Sequence, residues 1–375
     1  MKIIDIEPIV LTLPLQNPVV TSFGSMNTRT GIYVKVHTDT GEFGIGEVWN
    51  NFPSWGIYEK IATLNYGMKP LLIGEDPRNI RNINNKLFSS CEILGLQWGA
   101  TGPIYQSISG IDLALWDLLG KHCHKPVYKL LGGGNVSEIE VYASGLGPTG
   151  FETLVEKHKE MGIKRFKLKV GTGLDKDLAH VKKMREILDI EDQLMIDANQ
   201  GWDRRTAIEH LNQLNQFQLS WVEEPVRCDD LEGLKIVRDA TGLCIAAGEN
   251  FYGRKHALQA LNAGAIDVIQ PDLSKNGGIT ESRIVAEMAH SWEVPYAPHF
   301  LSGAVCFAAS LHFMASVPDG MILELDANPN PLREKLFTKP FVVNKGKIAV
   351  PDKPGFGFEL DEEFVNYYRI DLDEL

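Results

Sequence analysis

Three segments decide how this chain is read: Leu194-Met195-Ile196-Asp197, Leu219-Ser220-Trp221-Val222-Glu223 and Leu243-Cys244-Ile245-Ala246-Ala247-Gly248-Glu249. Their acids are evenly paced, since 223 − 197 and 249 − 223 both equal 26. Each acid follows a short apolar run, and a helix-like segment follows each acid. A strand, a helix and two loops use roughly 20 to 30 residues, so the pacing puts the acids at the same end of three successive parallel strands. Asp197, Glu223 and Glu249 are then expected to meet at one point as hard oxygen ligands. That is the chemistry of a Mg²⁺ site with positions left open for water or substrate. Single acids after strands often cap helices, but three in register are better explained by a shared cation.

Working outward, apolar strands are expected near 139–143, 165–170, 193–197, 219–223, 243–248, 267–271, 294–298 and 321–324, with helices such as 177–188, 206–214, 253–262, 280–290 and 303–315 between them. Eight such units make an α/β fold, a (β/α)-barrel catalytic domain over residues 135–331. Residues 1–134 read as an α+β capping domain, a β meander to about residue 48 and then helices. Asp76-Pro77 is expected to open a helix toward Phe88, and Pro103 to Lys121 is a clean amphipathic helix. The segment 332–375 is expected to return to the capping domain and close the barrel's open face. Val20 to Arg29, which includes Phe23, and Trp49 to Gly56, which includes Trp55, read as mobile loops that face substrate.

Totals set limits. The 375 residues are 44% hydrophobic, which is ample for a core, and the net charge of −12 leaves no basic stripe for nucleic acid. No run of 18 apolar residues appears, so no membrane span is expected. The acidic N-terminus does not read as a signal peptide. The five cysteines are scattered without metal spacing, and a reducing cytoplasm is the simplest setting.

The other strand ends carry the chemistry. Strand two ends in Lys167 and Lys169, two apart and so on one face. Repulsion between the two ammonium groups is expected to lower one pKa and make a base near neutral pH. Strand six ends in Asp272, strand seven in His299 and strand eight in Glu324. An aspartate bonded to one ring nitrogen fixes the tautomer and raises the basicity of the other. Lys169 and His299 would then approach a metal-held substrate from opposite sides. The arrangement suits abstraction of a proton α to a carboxylate, through an enediolate that the metal stabilises. Glu324 is expected to donate a hydrogen bond to the enolate oxygen.

At these motifs the chain resembles the enolase superfamily, mandelate racemase subgroup, over nearly its whole length. The resemblance implies Mg²⁺ on Asp197, Glu223 and Glu249, and acid/base roles for Lys169 and for His299 with Asp272. It implies that Lys167 tunes Lys169 and that Asn199 and Glu224 lie near substrate, where the two loops would also bring Phe23, Trp49 and Trp55. In the related muconate-lactonizing subgroup a catalytic lysine lies three residues before the lysine of a Lys-x-Gly-Gly segment. Here that segment begins at Lys275 and the position holds Asp272. The implied reaction is dehydration of an acid sugar to a 2-keto-3-deoxy acid. Cycloisomerisation of an acid-sugar lactone or anhydro acid, and racemisation or epimerisation of a 2-hydroxy acid, stay open, as does a non-enzymatic sugar-acid-binding relative. The implied partners are a small carboxylate and further copies of the chain in a homo-oligomer.

Overall fold

The computed structural model describes residues 1–21, 24–51, 53–134, 136–317 and 320–371. An antiparallel sheet comes first: β1 (Ile3–Thr21), β2 (Gly24–Thr38) and β3 (Phe43–Val48), in that order. The β1–β2 ladder runs on to Thr21 opposite Gly24, past an irregularity between Pro14 and Val19. The expected loop over 20–29 is therefore strand wherever it is described, and Phe23 lies outside the described residues. Backbone ladder bonds outweigh the polar composition that read as a loop. The expected helix start at Asp76-Pro77 also moves. Asp76 accepts from the backbone and guanidinium of Arg78, and the helix runs Ile80–Trp98. The helix Thr101–His122 packs on β3 so closely that a Cβ at Gly44 or Gly46 would sit 2.0 or 1.9 Å from a helix carbonyl oxygen.

Seven parallel strands follow: β4 (Glu138–Leu146), β5 (Arg165–Lys169), β6 (Gln193–Asp197), β7 (Leu219–Glu223), β8 (Ile245–Ala247), β9 (Val268–Ile269) and β10 (Leu323–Asp326). β10 pairs with β4, and Tyr296 bridges Ile269 on one side and Gly320 on the other. The ring thus closes with eight positions, but the expected seventh strand is one bridge residue. Pro295 and Pro298 flank Tyr296 and lack the N–H groups that a longer ladder needs. Alternation sorts each strand. Leu194, Ile196 and Val222 face the helices in the main core, while Tyr142, Met195, Trp221, Ala246, Val268, Ala297 and Ile322 fill the barrel interior. Met195 and Asp197 are two apart, as are Trp221 and Glu223, so the acids continue the inward rows to the strand ends.

After β10, a hairpin of β11 (Val343–Asn344) and β12 (Lys347–Ala349) pairs with Glu138–Glu140. That is the start of β4, the end away from the acids. The tail then passes Asp117, which accepts from the Phe356 N–H, and reaches β1, where Leu11 bridges Arg369. It returns to the first sheet, and at the mouth the segment contributes Leu332, which lines a small cavity with Arg29, Glu47 and Asn50. β2 and β3 cover the mouth. Glu47 on β3 accepts from the Gly303 and Cys306 N–H groups at 2.5 and 2.8 Å, and Arg29 on β2 pairs with Asp326 at 2.6 Å.

These ties predict a pH effect. Burial pushes the Glu47 carboxyl up from 4.5 to about 7, against the backbone donors that favour its charge. Burial likewise pushes Asp112, which accepts from the Thr280 N–H, from 3.8 to about 7. A carboxyl raised on folding stabilises below its unfolded pKa and loses that contribution as pH rises through its folded pKa. Chain stability should fall between roughly pH 5 and 8, and Glu47→Gln should remove about 3 kcal/mol of that fall. Urea unfolding across the range measures it. An unchanged slope in the variant would show that Glu47 titrates normally.

Candidate active site

The strand ends bring together most of the residues singled out by sequence. Register pairs Lys169 with Asp197 and Asp197 with Glu223 across β5, β6 and β7. Lys167 is fully buried between two carboxylates, 2.7 and 2.6 Å from the Glu223 oxygens and 2.8 Å from Glu324. Lys169 is ion-paired with Asp197. His299 places Nδ1 2.7 Å from Asp272 and Nε2 2.6 Å from Glu249. The other Asp272 oxygen accepts from the Ser274 N–H and hydroxyl at 2.7 and 2.6 Å, so this carboxylate is fixed on both sides. Glu324 is the second residue of β10, not its end, and its free oxygen accepts from the Phe300 N–H at 2.9 Å.

Special backbone positions aim these groups. Gly248 has φ 151°, and a Cβ there would lie 2.5 Å from the Gln270 nitrogen, so Glu249 turns off β8 only because glycine precedes it. Asn199 and Glu224 have φ of 44° and 39°. Both follow strand ends closely, where local strain is held by surrounding contacts. Asn199 donates to Asp197 through its backbone and its amide, and Asn250 holds Glu224 at 3.0 and 3.1 Å.

Asp197, Glu223 and Glu249 do not meet at one point as expected. Among the described residues no three His, Cys, Asp or Glu side chains gather closely enough to hold a metal ion. Each carboxylate is drawn instead onto its nearest cation: Lys169, Lys167 and His299 respectively. The donor set still fits Mg²⁺ chemically, being three hard carboxylates on adjoining strand ends.

Sequence relationships agree with the geometry. Residues 151–364 match the family described as enolase C-terminal domain-like, and residues 5–132 match the mandelate racemase/muconate lactonizing enzyme N-terminal domain. The chain belongs to the enolase superfamily, mandelate racemase subgroup. It is 31% identical, over 99% of each chain, to D-galactarolactone cycloisomerase of Agrobacterium fabrum. It is 28% identical, over 90% of each, to arabinonate dehydratase of Saccharolobus solfataricus. The structure of a racemase from Streptomyces coelicolor with bound magnesium superposes at TM-score 0.89, with 28% identity over 98% of this chain and 100% of that one. This enolase-superfamily chain is an enzyme of lyase or isomerase type.

Electrostatics in this enolase-superfamily site correct two expectations. The Lys169 pKa is raised, not lowered. Burial and Lys167 work against its charge, but Asp197, Glu249 and Glu223 prevail. Lys167 is raised well above its usual range by Glu223 and Glu324, despite burial. Glu324 is held at about 2 by Lys167 and His299 against burial, which favours it as an acceptor of hydrogen bonds over a donor. Glu223 is pushed to about 7 by burial and by Asp197 and Glu324, although Lys167 opposes this. Against burial, Glu249 and Glu324 hold His299 well above 6.5, an imidazolium between carboxylates.

The two tryptophan candidates differ in setting. Trp55 is 71% exposed on the surface, and Trp49 is half-buried with Lys275 above its ring. Sequence reading assigned no role to Glu47, Lys60 or Gln270, and placed Arg29 and Asn50 only within the two loops expected to face substrate. Gln270 donates to Glu223 at 2.7 Å, and its place two residues before Asp272 was the available signal. Among the described residues no helix is long and apolar enough to cross a membrane.

Proposed function

We propose that the enzyme removes the proton α to the carboxylate of an acid sugar and expels the β-hydroxyl as water, giving a 2-keto-3-deoxy acid. The carrying observation is that Lys169 and His299 stand on two arms of one barrel mouth with a row of carboxylates between them. Asp197, Glu223 and Glu249 would hold Mg²⁺, which supplies positive charge for the substrate carboxylate as the carbon ionises. Freed from Asp197, Lys169 feels Lys167 uncompensated, and its pKa falls toward that of a useful base. Lys169 takes the α-proton. His299, already protonated and aligned by Asp272, gives its proton to the departing hydroxyl. The C–O bond breaks as the C=C bond forms, and the enol product becomes the ketone. Lys167 and the Phe300 N–H hold Glu324 in place beside His299. A reducing cytoplasm suits the five free cysteines.

Cycloisomerisation is the second reading, favoured by the full-length similarity to D-galactarolactone cycloisomerase. The same α-proton leaves, and the departing oxygen belongs to a ring. Incubating the Mg²⁺-loaded enzyme with a panel of acid sugars and their lactones separates the two. Dehydration should yield a keto acid lighter by one water, whereas cycloisomerisation leaves the mass unchanged. Failure of every acid to exchange its α-proton with deuterated solvent would overturn both.

A further inference from the structure

Beside the mouth lies a group of hydrogen-bond donors short of acceptors. Trp49 and Asn50 follow β3, Lys60 lies on the helix Ile57–Ala62, and Lys275 lies in the loop after β9. Lys60 is 4% exposed and Asn50 3%. The Lys60 ammonium donates to Asn50 Oδ1 at 2.8 Å and lies 5.8 Å from the Trp49 ring centre. Among the described residues no carboxylate pairs with it. An ammonium has three N–H donors, and among the described residues one is spent, on Asn50. With its oxygen engaged, Asn50 is left with a buried Nδ2 that has no acceptor, and Trp49 Nε1 is likewise buried and unpartnered. The Lys275 ammonium, 4.8 Å from the same ring centre, donates to Asn250 at 2.9 Å.

The group adjoins the reaction site. Asn250 also donates to Glu249 and Glu224, and the Trp49 backbone N–H donates to the carbonyl of Ser274, whose side chain fixes Asp272. Buried donors without acceptors are rare, and a buried ammonium without a counter-charge is rarer. A group offering donors and positive charge selects an anion rich in acceptor oxygens.

We propose that Trp49, Asn50 and Lys60, backed by Lys275, form a subsite for a second carboxylate at the far end of the substrate, so that the substrates are sugar diacids. This rests on the function proposed above for where the first carboxylate lies. Burial pushes the Lys60 ammonium down to about 7, with Lys275 adding to the fall and Glu59 opposing it. A bound carboxylate favours the charged form, so diacid binding near neutral pH draws in a proton.

Calorimetric titration of the Mg²⁺-loaded enzyme with galactarate and with D-galactonate tests this. The two acids differ only at the far end, a carboxylate against a hydroxymethyl group. Galactarate should bind about tenfold tighter or better, as one charge-assisted contact provides. Its binding heat should vary with buffer ionisation enthalpy, reporting proton uptake. Lys60→Met should bring the two affinities together without weakening galactonate, and Lys60→Arg should keep the preference. Asn50→Asp supplies the missing carboxylate from within, so it should raise the melting temperature and abolish the preference. Equal affinities in the wild type, no galactarate binding, or a preference that survives both Lys60→Met and Asn50→Asp would each overturn the subsite. Exchange of the α-proton on galactonate with no preference for galactarate overturns the subsite alone. A galactarate preference with no exchange on either acid supports the subsite and overturns the function proposed above.

Discussion

Lys169→Ala and His299→Asn should each lower turnover by roughly 10²- to 10⁴-fold, the range that a positioned acid or base contributes. The two losses should differ in kind. Lys169→Ala removes the proposed base, so exchange of the α-proton with deuterated solvent should vanish together with product. His299→Asn removes the proposed acid, so exchange should persist while loss of the hydroxyl stops. Both variants should fold. Lys169 is at the end of β5 with its side chain 17% exposed, and its loss frees only Asp197. His299 is more deeply set, and removing it leaves Glu249 and Asp272 without their shared cation. Asparagine keeps a donor for Asp272, and circular dichroism checks the fold. Near-normal turnover in both variants would remove these residues from the chemistry.

Lys167→Met should cost on the order of 3–5 kcal/mol of stability, because it strands two buried carboxylates. Few side chains in this barrel are so fully committed. The Lys167 ammonium touches Glu223 and Glu324 and lies 5.5 Å from the Tyr142 ring centre, with no solvent exposure. Methionine keeps most of the volume, so the loss reports charge rather than a cavity. Glu223 is at about 7 even with Lys167 beside it, and without that ammonium its pKa rises further. A carboxyl raised on folding loses its contribution as pH rises through the folded value. The variant should therefore be closest to wild type in acid and fall further behind as pH rises. Urea unfolding in the presence of a chelator measures this, and adding Glu223→Gln should recover part of the loss. A cost below about 1 kcal/mol, typical of an exposed pair, would mean that the carboxylates stay hydrated.

Much of the barrel was legible because its repeat has a fixed physical length. Strand ends at Asp197 and Glu223 fall where the apolar runs stop. Alternation put Lys167 and Lys169 on one face, and the structure keeps them there, each against a carboxylate. The lysine pKa was misjudged because repulsion within Lys-x-Lys is local and visible, whereas the carboxylates that reverse it come from other strands. The seventh strand was over-read, although Pro295 and Pro298 were in plain view. Residues 24–29 misled in the opposite sense, since a polar segment still forms strand when a partner lies alongside. Lys60 had no readable signal. Its short helix carries a lysine like any surface helix, and only the folded chain turns that lysine inward.

The seventh position of the ring has a mechanical consequence. With a single bridge residue, Tyr296, the backbone around His299 has little ladder to hold it, and it leans on the Phe300 N–H bond to Glu324. The same carboxylate grips Lys167 with its other oxygen. One side chain is thus a strut between the lysine arm and the histidine arm. Slack introduced at either end reaches the other, so a substitution beside Lys167 is expected to shift His299 as well.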